Sequence, residues 1–182
     1  MTVSHDYWYW NKFFTKKEVQ ALNKSINKFR TKGDTKTKAS ESIKTSTVYN
    51  VRYKDVYPNI ENLIDSVWAV NEREFGYNLY QTQNPWLNYN TYKKGDQYTF
   101  HHDCSDSLRY DIKLTLLINV STQKYKGGDF SILMSETPTP IKEFTQSGDV
   151  VLLKSHILHK VNPITQGTRE SLTMFLTGPK FQ

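Results

Sequence analysis

The sequence predicts a mainly β fold with supporting N-terminal helices, a sheet sandwich or barrel backed by two helices. Three observations predict it. Helical periodicity occurs only before residue 76. From about residue 77 onward, short runs rich in Tyr, Leu, Ile, Val, Thr and Phe take its place. Turn signals at Gly95-Asp96, Gly127-Gly128, Gly148-Asp149 and Gly167 separate those runs. The length of 182 residues suits one domain, with helical support over about 1–76 and a β core over about 77–182.

The first helix is expected over about 16–30. Thr15-Lys16-Lys17-Glu18 reads as a capping box, and Val19, Leu22, Ile26 and Phe29 recur at helical spacing. Residues 31 to 46 are mostly Lys, Thr and Ser and read as a loop, either a substrate lid or simply disordered. Pro58 is expected in the first turn of a second helix, a favoured place for proline. Ile60, Leu63, Ile64, Val67, Trp68 and Val70 form its apolar stripe, and Gly76 ends it. Strands are expected near 77–82, 86–93, 97–102, 112–120, 128–133, 149–153, 157–161 and 170–177. No internal repeat or linker divides the chain.

Aromatic residues make up 14% of the chain and twelve of them are tyrosine, which favours a core of large rings with polar tips. The formal charge is +6, from 24 basic and 18 acidic residues. The lysines are spread, with modest clusters at Lys16-Lys17, Lys32 to Lys38 and Lys124-Lys126. That distribution favours a solvated surface over a nucleic-acid groove. Cys104 is the single cysteine, so no intrachain disulfide can form. No secretory signal and no run of the ~20 apolar residues that span a bilayer are visible. The expectation is a soluble, intracellular (cytoplasmic) protein with no membrane partner.

Four of the five histidines lie in two tight pairs within strand-like runs, His101-His102 and His156 with His159. Side chains alternate along a strand, so His101 and Asp103 share a face that His102 does not. His159 likewise points away from His156. His101, Asp103 and His159 are therefore the expected metal ligands. Two imidazoles and a carboxylate on one face suit iron(II) and leave positions open for a chelating co-substrate and dioxygen. A structural zinc site would want a fourth ligand, and none is evident near the trio. Arg169 enters a strand after Gly167 with Ser171 on the same face. A guanidinium beside a hydroxyl makes a good clamp for a carboxylate.

With those residues in place, the chain resembles the iron(II)- and 2-oxoglutarate-dependent dioxygenases, most closely their prolyl 4-hydroxylase-like branch. The resemblance covers residues 87 to 178. It rests on Tyr92 through Asp103, on Gly127-Gly128 before an apolar strand, and on Gly148-Asp149, His159-Lys160-Val161-Asn162-Pro163 and Gly167-Thr168-Arg169. It implies a double-stranded β-helix, the jelly-roll or cupin-like fold, with His101, Asp103 and His159 on iron(II). It places Arg169 on the distal carboxylate of 2-oxoglutarate, and Tyr92 beside the co-substrate. Thr115 and Leu117 occupy the strand position that often contacts 2-oxoglutarate, and only Thr115 can donate. Tyr98 matches a residue lining the substrate position. Phe175 departs from the family's pattern, which tends to have Trp there.

The activity implied is hydroxylation of a C–H bond, with dioxygen consumed and succinate and carbon dioxide as co-products. L-ascorbate is a reductant that such chemistry accommodates. The favoured substrate is a protein or peptide, plausibly at proline. A small molecule such as a free amino acid is the alternative, followed by oxidative demethylation of nucleic acid, which the scattered lysines disfavour. From a different class comes a non-catalytic, metal-binding β-sandwich interaction module.

Overall fold

In the computed structural model the described residues are 5–32, 43–81, 85–104, 111–134 and 136–180. Within the expected 31–46 loop, residues 33–42 lie outside them.

Helix α1 (Lys16–Phe29) forms as expected. The Thr15 hydroxyl accepts from the Glu18 N–H, and the Glu18 carboxylate accepts from the Thr15 N–H at 2.7 Å. Val19, Leu22 and Ile26 are buried along one side. Helix α2 spans Tyr53–Val70 and so begins five residues before Pro58. Two features move its start upstream. The Tyr53 N–H donates to the Pro85 carbonyl at 2.7 Å, and Val56 extends the buried stripe one turn back from Ile60. Pro58 then sits inside the helix and forgoes the bond that an N–H there would have made to the Lys54 carbonyl. Past Val70 the chain continues as a single π-helical stretch, Asn71–Phe75, and Gly76 in the left-handed region (φ 69°) closes it.

The expected strand near 77–82 is absent among its described residues, 77–81. The Asn71 side chain takes its place in bonding: its amide donates to the Tyr77 carbonyl at 2.8 Å and its oxygen accepts from the Tyr77 N–H at 3.2 Å. The backbone groups of Tyr77 are thus spent locally, while the Tyr80 N–H donates to the Thr177 carbonyl at 2.9 Å without a strand being formed.

Thirteen strands are present among the described residues: β1 (Tyr7–Trp10), β2 (Thr31–Lys32), β3 (Thr47–Arg52), β4 (Trp86–Tyr92), β5 (Tyr98–His101), β6 (Ile112–Asn119), β7 (Lys126–Gly127), β8 (Phe130–Leu133), β9 (Thr139–Pro140), β10 (Val150–Lys154), β11 (Leu158–Val161), β12 (Ile164–Gln166) and β13 (Arg169–Thr177). Sequence periodicity misses β1, β3 and the short strands β2, β7, β9 and β12, and β2 takes Thr31 and Lys32 out of the expected loop to pair with Asn50 and Tyr49 of β3. The run Tyr-Trp-Tyr-Trp of β1 shows no alternation of apolar with polar, and β3 follows the Lys/Thr-rich stretch directly. A seven-stranded sheet runs β1-β10-β6-β13-β4-β3-β2, and a four-stranded sheet runs β5-β11-β8-β9. All pairs are antiparallel.

Alternation along the large sheet sorts its residues into two layers. Leu114, Leu116, Ile118, Val150, Leu152, Leu172, Met174 and Leu176 share a core with the buried faces of α1 and α2. Leu117, Val151 and Leu153 share a second core with Phe130, Ile132 and Val161 of the smaller sheet. Two facing antiparallel sheets of this kind make a double-stranded β-helix, with α1 and α2 packed on its outside. No helix among the described residues is long and apolar enough to cross a membrane.

Candidate metal centre

His101 and His159 are direct cross-strand partners, in β5 and β11. That register brings their rings to 4.2 Å between centroids. Asp103 does not sit on a strand, because β5 ends at His101. A turn carries it instead, pinned where the Asp103 N–H donates to the Ser155 carbonyl at 2.9 Å. Ser155 is fixed in turn by donating its hydroxyl to the Ile112 carbonyl at 2.6 Å. The expected trio thus converges, though through a turn rather than an unbroken pleat. His101 Nε2 lies 3.7 Å from Asp103 Oδ1 and His159 Nε2 lies 3.5 Å from Asp103 Oδ2. One ligand atom from each residue falls within 4.8 Å of the others. The carboxylate separations are too long for hydrogen bonds, and suit groups arranged around a common ion.

Both imidazoles are oriented by the same device. His101 Nδ1 lies 2.8 Å from the Thr99 carbonyl and His159 Nδ1 lies 2.9 Å from the Ile157 carbonyl. A carbonyl only accepts, so each Nδ1 carries the proton and each Nε2 lone pair points into the cleft. Burial pushes the His101 imidazole down from its usual 6.5 to about 4, the neighbouring His159 adds to this, and Asp103 opposes it. His101 is therefore neutral at neutral pH, the form that binds metal. Tyr98 stacks on the His101 ring at 3.4 Å between centroids. His102 and His156 are exposed, as their opposite facing predicts.

Thr115, on β6, donates its hydroxyl to Asp103 Oδ2 at 2.6 Å. Its proton is spent on holding the carboxylate, so its contribution is orientation of Asp103. Leu117 lies two residues along the same face and lines the cavity.

Arg169 is 1% exposed, beside Tyr92 in strand register. Its guanidinium carbon lies 5.5 Å from the Tyr92 ring centre and 5.4 Å from that of Phe144. Nη1 donates weakly to the Ser171 hydroxyl at 3.5 Å, and Nε has no partner. No carboxylate among the described residues pairs with Arg169. Gly128 makes room for it: a Cβ there would stand 3.0 Å from Arg169 Cδ and 2.3 Å from Ile164 Cδ1. Its φ of 72° is also one that side chains rarely adopt. A buried cation without a counter-ion is costly, and a carboxylate-bearing ligand would supply what it lacks.

The trio, Arg169, Tyr92, Ser171 and Thr115 all line one cavity of about 500 Å³, which extends past Thr173 and Phe175 to Trp86. Sequence reasoning missed Lys44 in its wall. The Lys44 ammonium donates to Asn90 Oδ1 at 2.7 Å and lies 4.7 Å from the Tyr98 ring centre. Nothing in a Lys/Thr/Ser-rich stretch marks that residue. Its place is set by pairing of residues 43–45 beside β5, where Thr99 N–H donates to the Ile43 carbonyl and Thr45 N–H to the Gln97 carbonyl.

Comparison with known proteins agrees with this arrangement. A PKHD-type hydroxylase of Herminiimonas arsenicoxydans is 35% identical over 89 residues, 44% of this chain and 38% of the relative. The match therefore spans well under half the length of the curated relative. A prolyl-4-hydroxylase crystal structure from Pseudomonas putida superposes with a TM-score of 0.72 at 16% identity, covering 96% of this chain and 94% of that one. A Trichoplax adhaerens prolyl hydroxylase, solved with a hypoxia-inducible-factor peptide fragment, gives 0.71 at 15% identity over 94% and 83%. Both likenesses show the double-stranded β-helix fold. The sequence pattern of the 2OG-Fe(II) oxygenase superfamily matches residues 87–177, from the strand that leads to Tyr92 through the strand that carries Arg169. With half of the chain so matched and the trio and the buried arginine both inside that stretch, the chain belongs to the 2OG-Fe(II) oxygenase superfamily.

Proposed function

We propose that this protein is an iron(II)- and 2-oxoglutarate-dependent hydroxylase acting on a protein or peptide. The observation that carries the reading is Arg169, a fully buried guanidinium with no carboxylate partner among the described residues, in the same cavity as a two-histidine, one-carboxylate cluster. In this reading the helical support and the β-helix core act as one oxygenase domain.

His101 Nε2, His159 Nε2 and Asp103 would hold the metal, and the donor set suits iron(II) with open positions. Arg169 grips the distal carboxylate of 2-oxoglutarate by charge-assisted hydrogen bonds, with the Ser171 hydroxyl and the Tyr92 ring beside it. Iron(II) with 2-oxoglutarate and dioxygen supplies the oxidation, in which one oxygen atom enters the substrate C–H bond and the other enters succinate as carbon dioxide leaves. The chain's own part is placement. The carbonyls of Thr99 and Ile157 keep both Nε2 atoms unprotonated, and Thr115 keeps Asp103 turned toward them. Tyr98, stacked on His101, walls the side from which the substrate approaches, and Phe130, Leu117 and Val161 exclude water from it. A polypeptide substrate is supported by the likeness to the peptide-bound prolyl hydroxylase fold and by the exposed Trp86 at the cavity's far end.

The test is titration with manganese(II) and then 2-oxoglutarate under anaerobic conditions, followed by aerobic assay of succinate with iron(II) and L-ascorbate as reductant. One metal and one 2-oxoglutarate per chain, with succinate formed, is the expected result. Metal binding without 2-oxoglutarate binding would instead leave a metal-binding module.

A further inference from the structure

Trp86 is a wall of two cavities. It stands at the far end of the metal-centre cavity, with Asn88, Phe175 and Thr177. It also lines a second groove of about 470 Å³, formed with Tyr53, Ile64, Trp68, Pro85, Met174 and Leu176. The two sides of the indole differ in chemistry. On the inner side stand amide, hydroxyl and phenyl groups. On the outer side the floor is almost wholly apolar, with Arg52, Lys54 and Gln81 at its rim. Trp86 itself is 45% exposed, so the far end of the inner cavity faces solvent. A site for a small free metabolite buries most of its ligand. An open end that leads across an aromatic wall into an apolar groove fits a longer chain.

Resting on the reading above, we infer that the substrate is an extended polypeptide with a large aliphatic or aromatic residue seated in the Tyr53–Trp68 groove. The chain enters over the metal centre and leaves past Trp86. The target residue and the anchor residue are thereby held on opposite sides of the Trp86 ring. The groove gives affinity through burial of the anchor, and the polar inner wall of Asn88 and Thr177 offers partners to the peptide backbone between them. The co-substrate end is remote from this surface. Arg169 pairs with Tyr92, and Trp86 lies six positions before Tyr92 at the other end of β4, about 20 Å along the strand.

The experiment uses the protein loaded anaerobically with manganese(II) and 2-oxoglutarate, panned against phage-displayed random 12-residue peptides. Enriched peptides should share one aromatic or large aliphatic residue at fixed spacing from a common second position. Synthetic versions should bind at least tenfold more weakly to Trp86→Ala, with Trp86→Phe restoring most of the loss. Gln81→Trp, which fills the groove from its exposed rim and leaves its apolar floor intact, should weaken them similarly. The affinity for 2-oxoglutarate by calorimetry should be the same in all these proteins. Absence of enrichment, enrichment without an apolar anchor, or equal binding by the variants would each overturn the inference. Failure of the hydroxylase reading looks different: peptides would bind with this dependence while no succinate formed.

Discussion

The two faces of the seven-stranded sheet are built from the same strands and do opposite work. Toward the helices, β6 and β13 present Leu114, Leu116, Ile118, Leu172, Met174 and Leu176, all fully buried and all apolar. Toward the cavity the intervening positions present Thr115, Arg169, Ser171 and Thr173, also buried but polar or charged, beside the apolar Leu117 and Phe175. The apolar face gains free energy in proportion to the area it removes from water. The polar face carries burial that is only partly compensated, as the orphaned Arg169 Nε shows. One residue of offset along a strand therefore separates the part of the sheet that stabilises from the part that binds.

The sharpest break in this contrast is Asp103→Ala. It should abolish tight manganese(II) binding and succinate formation, while the far-UV circular dichroism spectrum stays unchanged; a variant that kept both activities would remove Asp103 from the metal centre. On the other face, Leu116→Ala should destabilise by about 2–5 kcal/mol in urea unfolding, with 2-oxoglutarate affinity retained in the folded fraction. Arg169→Leu should weaken 2-oxoglutarate binding roughly 100-fold, the loss of a charge-assisted pair worth about 1.5–3 kcal/mol. The melting temperature of its ligand-free form should hold or rise, since a lone buried charge is gone. Unchanged 2-oxoglutarate affinity would exclude Arg169 as the clamp.

Thr115→Val keeps the shape but frees Asp103, and metal affinity should fall on the order of tenfold, as for other groups that orient a ligand. The smallest effect is on pH dependence. The folded His101 imidazole titrates near 4, below its usual 6.5. As pH falls through that window the unfolded chain takes up a proton that the folded chain refuses. Stability of the metal-free protein should therefore decline from about pH 6.5 toward pH 4 and level off below. His101→Gln should flatten that slope, and an unaltered slope would assign it to other groups.

Much of this was legible from the residues. The capping box at Thr15, the stripe of α2 and the alternation from β4 to β13 are local signals, set by spacing along one chain. So were His101, His159 and Arg169, whose facing follows from the period of a strand, and Asp103, which the same period picked out although a turn is what carries it. The errors also have local causes. Pro58 was read as a helix start because its own preference is strong, but the contact of Tyr53 with Pro85 outweighed it. Residues 77–81 have strand-like composition, yet the Asn71 amide takes both backbone groups of Tyr77 at the start of that run. The turn that carries Asp103 depends on Ser155, 52 residues away, and no periodicity reports that bond.

By itself the sequence determined which residue types recur at which spacing, and hence the sheet, the helices and the family of chemistry. The tertiary structure decided what those groups face. It set Thr115 against Asp103, brought Lys44 beside Tyr98, left Arg169 buried with no carboxylate from the described residues, and put Trp86 between two cavities. Each of these depends on contacts between segments far apart in the chain, whose free energy arises only when the sheets close on each other.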